Sequence, residues 1–409
     1  MRRFEVWTRV ALVAWAMAIT MARAVRYPND FAEAHWLLDY RFGLIKRGFA
    51  GSLLSLASVA GLPAPSESAV AVIAFAAFGL FLLVLLWATA GLVSSGSDAG
   101  VAFAASAVFA TSPFIVMAAH FMGYLDHLFF AVACVAAWLA RDGRLWAAAA
   151  LAAIGVLVHE SFVLVGLPLI VLGATLHPSG FGRHRAAGLI PFMLPILAAL
   201  ALWASETYLL DRAALRGQLE ARLSGYPFVG GDMNLFLPEW LTTGTLTTWE
   251  RQRHAFWRHL SDPNLLRLMV PSAAFLALAC AALAPAGWRS QRAVAAAVVT
   301  LAPLLLHAVA WDTARIWTYT IVAGFGCVWL CGATDGAARA AHRRWLLAAA
   351  IPIVVANIMG RSPLMDGEIE RFSLSTRVWL YLPFLAGAAI ALAGAWRTRE
   401  ERASSDVLR

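Results

Sequence analysis

Residues 147–175 read AAAALAAIGVLVHESFVLVGLPLIVLGAT. The run is apolar apart from His159, Glu160, Ser161 and Thr175. One continuous helix would cross a bilayer and bury an imidazole and a carboxylate near its middle, where ionised groups are costly. Two helices of about a dozen residues would each be ~18 Å long, too short to cross ~30 Å of hydrocarbon. They would form a hairpin with His159 and Glu160 at its tip. The two readings flip the rest of the chain relative to each other. With the hairpin, Arg141/Arg144, Arg183/Arg185, Arg289/Arg292, Arg339/Arg343/Arg344 and the tail from Arg397 all face the cytoplasm. With one helix, the last four of these groups face outward. The cytoplasmic bias of arginine in short loops favours the hairpin. Non-helical backbone at membrane depth is tolerated only where it lines a protein cavity, so the hairpin predicts a cavity opening outward near His159.

The bulk of the chain agrees with a membrane setting. It has 409 residues, 61% of them hydrophobic and 14% charged. A soluble domain would be about 45–50% apolar and about 25% charged. Apolar segments recur near 6–25, 69–91, 100–119, 124–140, 147–158, 161–175, 186–206, 265–284, 293–311, 315–332, 345–360 and 376–396. They predict an all-α polytopic transmembrane bundle of about 11–12 membrane segments, forming one integral domain over 1–409. A β-barrel would alternate in ~10-residue segments instead. The opening MRRFEVWTRVALVAWAMAITMARAV resembles a signal peptide, and it is read here as an uncleaved first span with Arg2 and Arg3 inside. Cys134, Cys280, Cys327 and Cys331 lie in apolar spans and read as core residues. The net charge of +8 suits anionic lipids or substrates, with no nucleic-acid motif.

Given the hairpin, the outward segments are 26–68, 119–126, the tip, 207–264, 312–315 and 361–375. They hold most of the acids and histidines that interrupt apolar sequence. In the loop 26–68, a helix over 30–42 would put Asp30 and Glu33 on one face and His35 and Asp39 on another. Such a helix would lie at the interface. An acid there can act as a general base, beside Arg41, Lys46 and Arg47 as a phosphate-binding cluster. Lys46 is the only lysine in the chain. Gly48 and Gly51 allow a close backbone approach or start the next helix. In HFMGYLDH, His120, Asp126 and His127 leave open a divalent metal, a proton shuttle, a sugar hydroxyl or simply a polar bend between helices, and the spacing matches no standard metal motif. His159-Glu160 is not HExxH, which excludes a zinc-protease reading. Asp312 and Arg315 stand at i, i+3 and either pair together or offer a further phosphate contact. The segment GRSPLMDGEIERF, with Arg361, Asp366, Glu368, Glu370 and Arg371, reads as a solvated face. The 207–264 loop reads as an outer cap with an amphipathic helix near 246–260, exposing Trp249, Phe256, Trp257 and Leu260. Asp232 reads as structural.

This layout resembles the C-type glycosyltransferase superfamily, multi-span enzymes that use polyprenyl-phosphate sugars. The matching features are Asp30 and Glu33 in a first outer loop, Asp126 between the third and fourth spans, the block AAIGVLVHESFVLVGLPLIVLG, and cytoplasmic termini. Many members carry Thr-Lys where this chain has His159-Glu160. RFGLIKRGFAG also resembles uncharacterised bacterial multi-span membrane proteins. The resemblance implies sugar transfer from a polyprenyl-phosphate carrier to a glycan or lipid acceptor of the cell envelope, on the outer face of the bacterial inner membrane. It implies Asp30, or Asp39, as general base, Lys46, Arg47 and Arg315 on the leaving phosphate, and His159 and Glu160 as donor-positioning or proton-carrying groups. Asp126, His127 and Asp312 would form a second acidic or acceptor site. No cofactor is required by this reading, with a divalent metal left as an alternative. The alternatives to a transferase are a surface-polysaccharide polymerase or ligase with a lipid-pyrophosphate donor, and a lipid-linked-sugar transporter.

Overall fold

The fold was analysed in a computed structural model that describes residues 2–61, 63–94, 98–177, 188–252, 263, 265–283, 289–310, 312–332, 340–362, 364 and 368–407. Regular structure among these residues is helical. The order is α1 (Arg2–Ala22), α2 (Asp30–His35), a 3-10 turn (Tyr40–Phe42), α3 (Gly48–Val59), α4 (Glu67–Ser94), α5 (Ala99–Thr111) and α6 (Pro113–His120). Then come α7 (Asp126–Arg141), α8 (Leu145–Val158), α9 (Phe162–Thr175), α10 (Met193–Ala204), α11 (Arg212–Ser224), α12 (Gly231–Thr242) and α13 (Thr245–Gln252). The last are α14 (Val270–Leu283), α15 (Arg289–Leu301) continuing as a 3-10 stretch (Ala302–Ala308), α16 (Thr313–Gly332), α17 (Ala340–Met359) and α18 (Leu374–Val407). Six helices among the described residues are long and apolar enough to cross a membrane, or seven if α5 and α6, bent by 41°, count as one. The bend falls at Ser112-Pro113, where proline starts the second helix without needing an N–H partner.

Helices α8 and α9 have 14 residues each, so each is ~21 Å long. They fold back on one another. Gly143, before α8, and His177, after α9, adjoin: a Cβ on Gly143 would lie 2.7 Å from the His177 ring. The break has a local cause. His159 is extended (φ −158°, ψ 123°), and its backbone N–H still bonds Gly155 O. Its ring nitrogen Nδ1 then accepts from the Ser161 backbone N–H at 3.2 Å, and its carbonyl accepts from Phe162 at 2.9 Å. The first orphan donors of α9 are thereby satisfied by the residue that ended α8.

Polar contacts gather at two opposite ends of the bundle. At one end, α4 and α16 meet, and a Cβ on Gly332 would press on Leu92. Arg343 pairs there with Asp98 at 3.2 Å. At the other end lie the start of α16, the α8–α9 tip, α2 and the 36–47 segment. Arg26, just beyond α1, donates to His120 O at 2.8 Å and pairs with Glu368. Arg23, Glu370 and Arg377 form a fully buried cluster, with Arg23 Nη2 to Glu370 Oε1 at 2.9 Å. Glu370 is therefore part of the interior and not of a solvated face, whereas Arg361, Glu368 and Arg371 are exposed and Asp366 lies outside the described residues.

The expected helix over 30–42 ends at His35. Asp39 is buried and caps the following turn instead, accepting from the Arg41 N–H at 2.9 Å, and Gly43 then reverses the chain at φ 98°. His35 and Asp39 therefore do not share a helix face. The glycines of RGFAG serve packing. A Cβ on Gly48 would meet the Tyr40 ring at 2.6 Å, and one on Gly51 would overlap the Leu38 carbonyl. In the cap, α13 covers only the first part of the expected 246–260 helix, and Phe256, Trp257 and Leu260 lie outside the described residues. Asp232 sits in the first turn of α12. All four cysteines are buried, and none of them is in a disulfide.

The hairpin is locked to α7 at Gly173, where an added Cβ would overlap the Ala137 carbonyl. Gly173→Ala is expected to lower stability by roughly 1–3 kcal/mol, because a backbone atom cannot swing aside. Gly79→Ala, with nothing within 4 Å of the new carbon, should leave it unchanged or raise it. Thermal unfolding in detergent compares the two.

Candidate functional site

A cavity of about 360 Å³ opens at the end of the bundle that carries the hairpin tip. Its polar wall holds Arg47, His159, Glu160, Ser161, Asp312, Arg315 and Tyr319. Its apolar wall holds Phe31 from α2, Phe236 and Trp240 from α12, and Leu306, Val309, Ala310 and Ile316. Asn29 and Tyr124 complete it.

Arg47 is the most constrained residue of this wall. It has a φ of 60°, the single positive value for a non-glycine among the described residues. Left-handed backbone at a side chain with a Cβ costs roughly 1–2 kcal/mol. The side chain is held on every side. Nη2 and Nε bond the two Glu160 oxygens at 2.8 and 3.1 Å. Nη1 donates to His35 Nε2 at 3.1 Å, and the guanidinium lies 4.2 Å over the Trp240 ring. His35 can accept because its Nδ1 donates to Phe31 O at 2.7 Å, which leaves Nε2 without a proton. Burial, then the Arg47 charge, push the His35 imidazole down to about 3, so it stays a neutral acceptor.

Arg315 closes the opposite side of the cavity. It grips Asp126 with two nitrogens, Nε at 3.1 Å, and Tyr319 bonds the same carboxylate. Asp312 lies 3.8 Å away and caps α16 by accepting from the Arg315 N–H at 3.2 Å. Arg315 thus has its i, i+3 neighbour, but its closer partner is Asp126. The Phe121 and Tyr124 rings lie under the guanidinium at 4.8 and 5.3 Å. Gly123 permits the turn that brings them there, with a φ of 92° and no room for a Cβ beside Pro28 and Ala32.

Of the residues singled out in the sequence, Arg47, His159, Glu160, Asp312 and Arg315 line this cavity, and Asp126 anchors it from behind. The others lie elsewhere. Lys46 points away from Arg47 and pairs with Glu206 at 3.1 Å. Glu206 also accepts from the Thr245 N–H at 2.8 Å, which ties the cap to the bundle. Asp30 accepts from Gly230 N–H at 2.8 Å. Arg41, exposed, pairs with the buried Asp39 at 2.6 Å. Burial pushes the Asp39 carboxyl up, but the hydrogen bonds and charge of Arg41 outweigh it and hold it below the usual range. His127 bonds Ala118 O at 2.8 Å and packs edge-on against Phe78 and tilted against Phe81. Among the described residues, no three His, Cys, Asp or Glu side chains gather in a metal-binding cluster.

Among the cavity residues that the sequence did not mark as site candidates are five Phe, Trp and Tyr side chains, Phe31, Tyr124, Phe236, Trp240 and Tyr319, together with Ser161. In a chain with 23 Phe, 17 Trp and 7 Tyr, an aromatic residue carries little signal by itself. His35, which fixes Arg47, was noted only for a helix face. No family model, curated protein or solved structure matches the chain.

Beside the cavity, Glu33 is buried, with one carboxyl oxygen lacking a hydrogen-bond partner among the described residues. Burial, then the charges of Glu67 and Asp30, push its carboxyl up to about 7. A raised carboxyl favours the fold in its protonated form. Its contribution is full below about 4.5 and is lost as pH rises through about 7. Glu33→Gln should remove this loss. The melting temperature of the wild type should fall relative to the variant between about pH 5 and 8. Parallel curves across that range would contradict the assignment.

Proposed function

We propose that the chain is an integral membrane glycosyltransferase that takes a sugar from a polyprenyl-phosphate carrier at this cavity. The observation that carries the reading is the meeting of Arg47 and Arg315, remote in sequence, at one amphiphilic cavity. Each guanidinium is held by a carboxylate. The same fork geometry recognises phosphate, so a lipid phosphate can replace Glu160 on Arg47 at little geometric cost. The exchange would release Glu160 beside the sugar. The acceptor hydroxyl then attacks the anomeric carbon, Glu160 takes its proton, and the carbon–oxygen bond to phosphate breaks. The lipid phosphate leaves with its charge held by Arg47 and Arg315. Asp30 and Asp39, engaged as backbone caps outside the cavity, are weaker candidates for the base.

The apolar wall suits the carrier. Leu301 and Leu305 are exposed on the helix whose continuation, Leu306, forms that wall, so a tail can leave the cavity along it. A volume of about 360 Å³ is at the small end for ligand sites, which favours one sugar over a polymer repeat. We place the cavity on the outer face of a bacterial inner membrane, with about 11–12 membrane segments and the cap helices at the interface. Arg141, Arg144 and Arg343 belong to the opposite end, as the basic-loop bias requires.

Binding separates phosphate recognition from greasy attraction. In lipid nanodiscs, the wild type should bind a polyprenyl phosphate at least about tenfold more tightly than the matching alcohol, the scale of one charge-assisted contact. Arg315→Gln and Arg47→Gln should each remove that preference. The double variant Arg47→Gln/Glu160→Gln guards against an unpaired, half-buried carboxylate disrupting the fold. Glu160→Gln should bind the phosphate and fail to transfer. Equal wild-type affinity for phosphate and alcohol would overturn the reading.

A further inference from the structure

We infer that His159 is a fixed, neutral hydrogen-bond donor, and that its Nε2–H is the third contact of the cavity to the oxygen atoms of its ligand. This deepens the proposed phosphate site and rests on it for the identity of the ligand, though not for the state of the ring.

The ring state follows from its partners. Nδ1 receives the Ser161 backbone N–H at 3.2 Å and stands 2.6 Å from Ser161 Oγ. A backbone N–H can only donate, so Nδ1 is the acceptor and the proton sits on Nε2. That Nε2 is buried and has no hydrogen-bond partner among the described residues, although the residue is only 4% exposed. A buried donor left unmatched is expensive, and such groups in native proteins call for an explanation. His159 lines the cavity that Arg47 and Arg315 also line, so a ligand oxygen is the natural acceptor. The charged groups that act on the ring are Arg47, Glu160, Asp126 and Arg315, with Glu160 Oε2 3.7 Å from Nδ1 and beyond hydrogen-bond distance. These guanidiniums already supply the positive charge. A neutral donor between them adds direction without adding a further buried cation.

The role also accounts for the break in the hairpin. A helical His159 would spend its backbone in the α8–α9 ladder and could not hand Nδ1 to Ser161. Ser161 is thus a positioning residue: its N–H selects the tautomer, and its hydroxyl reinforces it.

Two measurements test the inference. The first needs no ligand. Imidazole nitrogen NMR of histidine-labelled protein, with the signal identified by its loss in His159→Gln, should report a neutral ring protonated on Nε2 at neutral pH. His35 should show the opposite tautomer. A His159 ring protonated on Nδ1, or on both nitrogens, overturns the inference even if prenyl phosphate proves not to be the ligand. The second uses farnesyl phosphate in nanodiscs, with inorganic phosphate and farnesol as head-only and tail-only probes. His159→Phe should weaken farnesyl phosphate binding by about ten- to a hundredfold, the scale of one hydrogen bond to a charged group. His159→Gln keeps an N–H donor and should restore most of it. Farnesol binding should not change in either variant. Unchanged phosphate affinity in His159→Phe, or equal weakening by Phe and Gln, overturns donation by Nε2. Failure of the wild type to prefer farnesyl phosphate over farnesol, with the expected ring state, overturns the phosphate site and the ligand contact but not the donor.

Discussion

A carboxylate carried into an apolar interior must be paired, and the pairing of Glu160 with Arg47 organises one end of this molecule. Glu160 stands between two helices that are each too short to cross a bilayer. Its partner comes from a loop more than a hundred residues earlier, bonded through two nitrogens at 2.8 and 3.1 Å. Removing Arg47 would leave a half-buried carboxylate without its partner, which destabilises the tip. The hairpin tip and the 36–47 loop are therefore joined by more than surface contact.

The rest of the site extends from that pair. Arg47 reaches Glu160 from a positive φ, on a segment that lies between the Gly43 turn and the closely packed Gly48 and Gly51. His35, the last residue of α2, supports it as a neutral acceptor. Trp240 lies over the same guanidinium and joins α12 to the cavity wall. Arg315 repeats the arrangement across the cavity with Asp126, Tyr319 and two aromatic rings. Two guanidiniums held in this way are rigid, already desolvated and faced by apolar groups. That is a suitable environment for an amphiphilic anion.

The all-helical class and the presence of long apolar helices were legible in the sequence, because a bilayer leaves few options for backbone that cannot find water. The break at His159-Glu160 was legible for a related reason: adjacent ionisable groups in an apolar run need a cavity or a partner. The same reasoning singled out Arg47, Asp126, Asp312 and Arg315, which the fold brings together. It failed where adjacency was mistaken for direction. Lys46 and Arg47 are neighbours in sequence, yet a turn sends them to Glu206 and Glu160 respectively. Asp30 and Asp39 looked like acids awaiting a substrate, but they satisfy backbone donors at Gly230 and Arg41. Local capping competes with helix continuation, and nothing in the periodicity of residues 30–42 reports that competition. The aromatic wall was illegible because neutral side chains in a greasy chain carry no excess cost that would mark them.

The hairpin returns the chain at His159 to the side from which α8 began. Single cysteines at the exposed Arg144 and Leu235 and at His177, placed in a background lacking the four native ones, can be labelled with a membrane-impermeant maleimide in intact spheroplasts. Positions 144 and 177 should both be protected until the membrane is permeabilised, and position 235 should be labelled from outside. Labelling of 144 and 177 from opposite sides would contradict the hairpin, and with it the outward cavity and the function proposed for it.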